Sequence, residues 1–260
     1  VKCYYTSFAT HNYGGALDTQ KKLSNEALTH GGVDRTILYR ENDIPHFISR
    51  VDKLFSGVNH VYKRFRHSRY FTWKPHVILK TFNQMSHGDY VIYHDAGRQC
   101  YNYKINRELR SFCDYVTEYH KGLFVNFSGW RNCQHTKREC FEVMECDSDY
   151  YINHNQCNAS WGYFQKNAFV TKFLNDWKRY CLHESLIITD NPHPDGNPEY
   201  PEFIEHRHDQ SILTNLLLKY SVHNNLKLDP KMTTNKIKKP WGFEKDMCNT
   251  ISKIQSAFGI

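Results

Sequence analysis

The sequence predicts an α/β fold: a mixed, mostly parallel central sheet flanked by helices, in a single domain. Three observations point there. A strand at Cys3–Phe8, a helix over 16–29 and a second strand over 33–39 open the chain, and two parallel strands need such a crossover, which is expected to be right-handed. The run Asp89-Tyr90-Val91-Ile92-Tyr93-His94-Asp95-Ala96-Gly97 is a short apolar segment that stops at a carboxylate and a glycine, as a buried parallel strand does at the open edge of a sheet. Helical stretches over 168–182 and 209–220 carry apolar stripes that can cover such a sheet.

Each element has its own local reason. Cys3–Phe8 alternates loosely and is rich in Tyr and Thr, which favour strands. Residues 9–15 read as a loop, with Asn12 and Gly14-Gly15 as turn formers. The helix over 16–29 has only a weak apolar face, Leu17, Leu23, Ala27 and Leu28, and Gly31-Gly32 ends it. Residues 43–58 read as helical with an interruption at Pro45, and 61–71 as a basic, aromatic loop without a period. Pro75 sits where a first helical turn tolerates proline. Val77, Ile78, Phe82 and Met85 follow at helical spacing before His87-Gly88 closes that helix. Residues 101–125 read as one helix leading into a strand over 122–127. The helix over 168–182 places Phe169, Val170, Phe173, Leu174, Trp177 and Cys181 on one face, a core-packing stripe. Residues 191–201, with four prolines and one glycine, form a loop of the length that acts as a lid or binding loop. The last strong helix, 209–220, carries Ile212, Leu213, Leu216 and Leu217, and from 229 the chain is basic and weakly patterned with a turn at Pro240-Trp241-Gly242.

Composition narrows the function classes. The 260 residues are 40% hydrophobic and 15% aromatic, enough for one large core, and nothing marks a boundary. Mean hydropathy of −0.72, with no apolar run near the roughly 20 residues of a spanning helix, argues against an integral membrane protein. Val1-Lys2-Cys3-Tyr4-Tyr5 lacks the apolar stretch of a signal peptide. A net charge of +7 suits an anionic ligand such as a nucleotide diphosphate, or a polyanion. The charge is scattered apart from Lys236-Ile237-Lys238-Lys239, read as solvated surface, and no nucleic-acid motif accompanies it, which argues against a nucleic-acid partner. Nine cysteines without a C-x-x-C pair read as reduced, mostly buried thiols of a cytoplasmic protein.

Four constellations can carry chemistry. Asp95 at the strand end either caps a turn or approaches a nucleotide diphosphate through a divalent cation or a ribose hydroxyl, and Gly97 leaves the backbone open there. In Arg69-Tyr70-Phe71-Thr72-Trp73-Lys74-Pro75, Lys74 just before a helix N-terminus suits a diphosphate, while Trp73 either stacks on a ligand or packs in the core. Glu205-His206-Arg207-His208-Asp209-Gln210-Ser211 leads into the last helix. There Asp209 is either an N-cap or a group that takes a proton, aligns a sugar or orients a metal-bound group, with His206 or His208 as a ligand of the cation beside Asp95. Gln156-Cys157-Asn158-Ala159-Ser160-Trp161-Gly162-Tyr163 is either a surface for an apolar pyranose face or a strand with a bulge.

In this order the motifs resemble those of the small GT-A-fold glycosyltransferases encoded in bacterial polysaccharide loci and some large DNA viruses. In that group a Trp-Lys-Pro helix runs into a YxDAG strand end, and an HRxDQS segment opens a late helix; the likeness spans roughly residues 3–220. The resemblance implies a Rossmann-like nucleotide-sugar-binding half over about 1–100, an acceptor-binding half over about 101–225 and an extension over 226–260. It implies a nucleotide-diphosphate sugar donor, a glycan or glycoconjugate acceptor, and a cytoplasmic site of action, the host cytoplasm for a viral protein. Thr6, Ser7, Arg69, Trp73, Lys74, Asp95 and Gly97 are then expected around the nucleotide and diphosphate. Asp209, His206 and Gln210 are expected at the reacting centre, with Asp209 as the base of an inverting transfer. Gln156, Trp161 and Gly162 are expected at the acceptor, and Asp95 with His208 at Mn²⁺ or Mg²⁺. Most such enzymes carry Asp-x-Asp at the strand end; here Gly97 stands where the second carboxylate belongs. That departure also motivates the rival readings of a carbohydrate-binding or inactive module of this fold.

Overall fold

The structure, a computed structural model, describes residues 1–10, 15–58, 68–97, 109–191 and 196–228. β1 (Cys3–Phe8), α1 (Ala16–His30) and β2 (Arg35–Tyr39) form the expected opening, and β1 and β2 pair in parallel from Tyr4 opposite Arg35 to Phe8 opposite Tyr39. The chain passes through α2 (Pro45–Leu54) and α3 (Trp73–Phe82) to β3 (Tyr90–His94). β3 lies parallel to β1 on its other side, from Cys3 opposite Tyr90 to Thr6 opposite Tyr93. α4 (Leu109–His120), β4 (Leu123–Phe124) and β5 (Phe127–Arg131) follow. Three short helices come next, α5 (Asn132–His135), α6 (Arg138–Val143) and α7 (Asp149–Ile152). Then come β6 (Asn155–Cys157), β7 (Trp161–Gln165), α8 (Ala168–Cys181) and α9 (Asp209–Asn224).

The main sheet has the order β2-β1-β3-β7-β4. β7 is antiparallel to both of its neighbours, so the other four strands share one direction. This is the mixed, mostly parallel α/β sheet that the sequence predicts. β1 sends its first connection to one side and the next strand arrives on the other. The reversal falls between the carboxyl ends of β1 and β3, the position at which ligands of open α/β sheets bind. Alternation along the strands assigns the helices to faces. Thr6 and Phe8 meet α3 through the Thr81 hydroxyl and the Trp73 ring, whereas Cys3 and Tyr90 meet α4 through Cys113 and Thr117. Helices thus cover both faces, which is why every residue of β1 and of β3 is buried.

Several elements differ from the sequence expectation for identifiable reasons. Pro45 starts α2 rather than interrupting a longer helix, since its fixed φ suits a first turn. α1 buries Thr19, Gln20 and Ser24 beside Leu23 and Ala27 and leaves Leu28 exposed. The Gln20 amide donates to the carbonyls of Ser7 at 3.0 Å and Tyr39 at 3.2 Å, so a polar residue closes the ends of two parallel strands. The strand expected over 122–127 splits: β4 stays in the main sheet beside β7, while β5 leaves to pair with β6 in a separate ribbon. Around that ribbon, α5–α7 are unannounced by any periodic stripe and are held by long-range bonds such as Asn132 Nδ2 to Asn215 Oδ1, 2.8 Å. In the expected lid, residues 197–200 are fastened to α6: the Arg138 N–H donates to Glu199 at 2.6 Å and Asn197 to Glu142 at 2.6 Å. The basic run 236–239, the turn at 240–242 and most of the loop over 61–71 lie outside the described residues.

The seven described cysteines are buried and free, and no described helix is long and apolar enough to cross a membrane. Gly122, between α4 and β4, has φ +81°, and a Cβ there would stand 2.6 Å from Gln165 Cβ. Gly122→Ala is therefore expected to cost about 2 kcal/mol or more, read as a lower denaturant midpoint with an unchanged slope. An unchanged midpoint would contradict this packing.

Candidate functional site

The site forms where four segments converge: the carboxyl end of β3, the start of β7 and the N-termini of α3 and α9. Asp95 follows the last residue of β3, and its backbone N–H donates to the Ser160 carbonyl at 2.7 Å, next to β7. Lys74 is the second residue of α3 and Asp209 the first of α9. The Lys74 ammonium lies between both acids, 3.1 Å from Asp95 Oδ2 and 3.0 Å from Asp209 Oδ2, and it also donates to the Ala159 carbonyl at 3.1 Å. Lys74 and Asp209 side chains are each 4% exposed, Asp95 29%. Asp95 is thus the partly open member of the cluster, and the lysine and second acid are buried.

The electrostatics of this cluster are strongly coupled. Burial would lower the Lys74 pKa, but Asp209 and Asp95 outweigh it and hold the ammonium charged. Burial raises Asp209 to about 7, Lys74 opposes that, and Asp95 adds to it. The Tyr93 hydroxyl donates to Asp95 Oδ1 at 2.6 Å; burial first, then Asp95, keeps this phenol protonated. A lysine at a helix N-terminus opposes the helix dipole, so its position in α3 is set by the two acids and not by helix preference.

Both helix starts follow backbone that L-residues avoid. Arg69, Tyr70 and Phe71 have φ of 46°, 52° and 61°, and His208 has φ 52° with ψ −117°. Such residues cost about 1–3 kcal/mol each and persist only when surrounding structure enforces them. Here the two segments brace each other, with the Tyr70 and His208 rings edge to face at 5.0 Å.

The other expected site residues divide into two groups. Gln210 and Gln156 join the cluster: Gln210 Nε2 donates to Gln156 Oε1 at 2.8 Å, and Gln210 Oε1 accepts from the Ala159 N–H at 3.3 Å. Trp161, half-buried, pairs with His94 at the β3–β7 edge, and a Cβ on Gly97 would meet nothing within 4 Å. The second group makes contacts within the fold away from the cluster. The Thr6 hydroxyl donates to the Ile37 carbonyl at 2.8 Å, and Thr6 and Ser7 are fully buried. Arg69 grips Asp52 at 2.6 Å and approaches Glu41 at 3.7 Å. Trp73, 4% exposed, stacks on Phe8 at 4.6 Å. Gly162 is buried where a Cβ would come within 2.9 Å of Phe164 and Val125, so sheet packing alone accounts for a glycine there. His206 accepts from the Lys137 N–H at 3.2 Å and is kept neutral by burial and then by His208. Tyr93 and the Ala159 carbonyl are the members of the cluster that sequence reasoning missed. The available signal for Tyr93 was its place two residues before Asp95, on the same side of an extended chain.

These residues do not fit a resident divalent cation. The ammonium of Lys74 occupies the place between the two acids, Tyr93 takes the other oxygen of Asp95, and Gly97 brings no ligand. His208 directs Nδ1 to the Ile188 carbonyl at 3.1 Å, and among the described residues no three His, Cys, Asp or Glu side chains are grouped to hold a metal.

No protein-family model matches the chain, and no curated protein matches it in sequence. Among solved structures it is similar to the crystal structure of mouse xyloside xylosyltransferase 1 in its apo form. The TM-score is 0.42 at 11% identity, over 87% of this chain and 84% of that one.

Proposed function

We propose that this chain is a GT-A-like glycosyltransferase that moves a sugar from a nucleotide diphosphate to a hydroxyl of a glycan. The observation that carries the reading is the buried Lys74 ammonium held between Asp95 and Asp209 at the carboxyl end of β3. A buried lysine and two acids at this edge are costly to assemble for stability alone, and groups perturbed by burial plus a specific charge partner are candidates for function.

In this reading the donor lies beyond β1 and β3, with its sugar over the Asp95–Lys74–Asp209 cluster. The acceptor oxygen attacks the anomeric carbon, and the bond to the diphosphate breaks with its electron pair leaving on the diphosphate. The acceptor proton passes to Asp209, whose pKa near 7 suits a base acting at neutral pH. Lys74 keeps Asp209 in place and adds positive charge near the leaving group. The low exposure of Asp209 favours a second assignment, in which its carboxylate and Lys74 bind hydroxyls of the donor sugar and the transfer retains configuration.

The test is a panel of UDP-, GDP- and other nucleotide sugars, scored for thermal shift and slow hydrolysis in EDTA and in Mn²⁺. At least one donor is expected to raise the unfolding temperature and to be hydrolysed at similar rates in both buffers. Asp95→Ala is expected to lose both responses. Silence toward every donor would refute the transferase reading; turnover only in Mn²⁺ would refute the cation-free cluster.

A further inference from the structure

Among the described residues with large apolar side chains, six are exposed, and Trp130 is the only tryptophan of them, at 46%. It stands on β5, outside the main sheet, and its surroundings are built rather than incidental. The Arg207 guanidinium lies 3.9 Å from the centre of its ring, and the His135 ring packs against it at 4.6 Å. Glu205 fixes Arg207 in turn, with Nε to Oε1 at 2.9 Å. His135 is 7% exposed, and its Nδ1 makes no hydrogen bond among the described residues, with Glu205 Oε1 standing 3.6 Å away. Burial and then Arg207 lower its pKa to about 4, so the ring is neutral. Ile204, 66% exposed, borders the same segment.

This patch is mechanically continuous with the site. The His135 carbonyl accepts from the Arg207 N–H at 3.0 Å, from Ser211 Oγ at 2.6 Å and from Gln156 Nε2 at 3.0 Å. Gln156 bonds Gln210, the neighbour of Asp209. Trp130 therefore rides on the frame that positions Asp209, two residues beyond Arg207.

We propose that Trp130, Arg207 and Glu205 form a glycan-docking subsite on the acceptor side of the Lys74–Asp209 cluster. The assignment of side rests on the transferase reading. The chemistry of the ligand rests on the patch itself. The exposed part of the indole presents apolar surface to the C–H face of a pyranose, and the Arg207 cation over the ring, with His135 against it, holds the indole in place. The guanidinium and carboxylate beside it donate to and accept from adjacent sugar hydroxyls. Because Arg207 and Glu205 neutralise each other, a polyanion gains no net attraction, which favours a neutral, hydroxyl-rich ligand over a nucleic acid.

The probe is an array of printed neutral and acidic oligosaccharides, read with the wild type, Trp130→Ala and Trp130→Phe. The wild type is expected to bind a subset of neutral glycans, Trp130→Ala to bind them at least tenfold more weakly, and Trp130→Phe to keep most of the affinity. A thermal midpoint for Trp130→Ala within about 2 °C of the wild type separates lost binding from lost folding, as an exposed position predicts. Equal binding by Trp130→Ala, or no binding by the wild type, overturns the proposal. Binding needs no turnover, so a wild type that binds glycans but hydrolyses no donor removes the transferase reading and leaves the subsite standing.

Discussion

Lys74→Met is expected to abolish donor turnover and to lower stability by roughly 3–5 kcal/mol, the usual cost of orphaning one partner of a buried ion pair. The side chain is 4% exposed and sits between Asp95 Oδ2 at 3.1 Å and Asp209 Oδ2 at 3.0 Å. Methionine fills a similar volume but brings no charge. Asp95, partly open, can turn to water; Asp209, also 4% exposed, cannot. The loss therefore belongs mostly to Asp209, and it should shrink at low pH, where that carboxyl takes a proton. The double variant Lys74→Met/Asp209→Asn is expected to regain most of the lost stability and none of the turnover. Denaturant midpoints for the four proteins of this cycle measure the coupling directly. A double variant as unstable as Lys74→Met would show that the buried acid is not the source of the cost.

Asp209→Asn should change how stability depends on pH and remove transfer. Burial raises the folded-state pKa of Asp209 to about 7 from an ordinary 3.8. Between those values the folded protein holds a proton that the unfolded chain has released. Stability then falls as pH rises through the window, by up to about 1.4 kcal/mol per pH unit. The effect is absent below the lower value and complete above the higher one. Asparagine does not titrate, so the variant should match the wild type near pH 4 and exceed it by a few kcal/mol at pH 8, measured as denaturant midpoints across that range. Parallel pH profiles would contradict the raised pKa. If Asp209 is the base, the variant keeps donor binding and loses transfer, and wild-type transfer climbs to a plateau as pH passes 7. Lost donor binding would instead assign the carboxylate to the donor sugar.

Local signals placed much of the fold. β1 begins and ends where its Tyr- and Thr-rich run does, β3 fills the apolar run before Asp95, and α8 buries Val170, Phe173, Leu174, Trp177 and Cys181 as a 3.6-residue period requires. These elements were legible because strand alternation and helical stripes are properties of neighbouring residues. The β5–β6 ribbon and the short helices were not, because their stability comes from distant partners such as Asn215 on α9. The site shows the same division. Asp95, Lys74 and Asp209 stood out as charged residues at element boundaries. Yet Arg69, just as conspicuous in sequence, is taken by Asp52 and Glu41 on the α2 side.

By itself the sequence determined the main parallel strands and the long helices, and that acids and a lysine stand at their ends. The tertiary structure alone decided that one ammonium serves two carboxylates, at the strand end where the sequence had suggested a divalent cation. The physical reason is that charge pairing and burial depend on which helix termini the sheet brings together. α3 and α9, distant in sequence, are brought together at the β3 edge by tertiary packing, and it is burial there that turns Asp209 from an ordinary carboxylate into a group that titrates near neutrality.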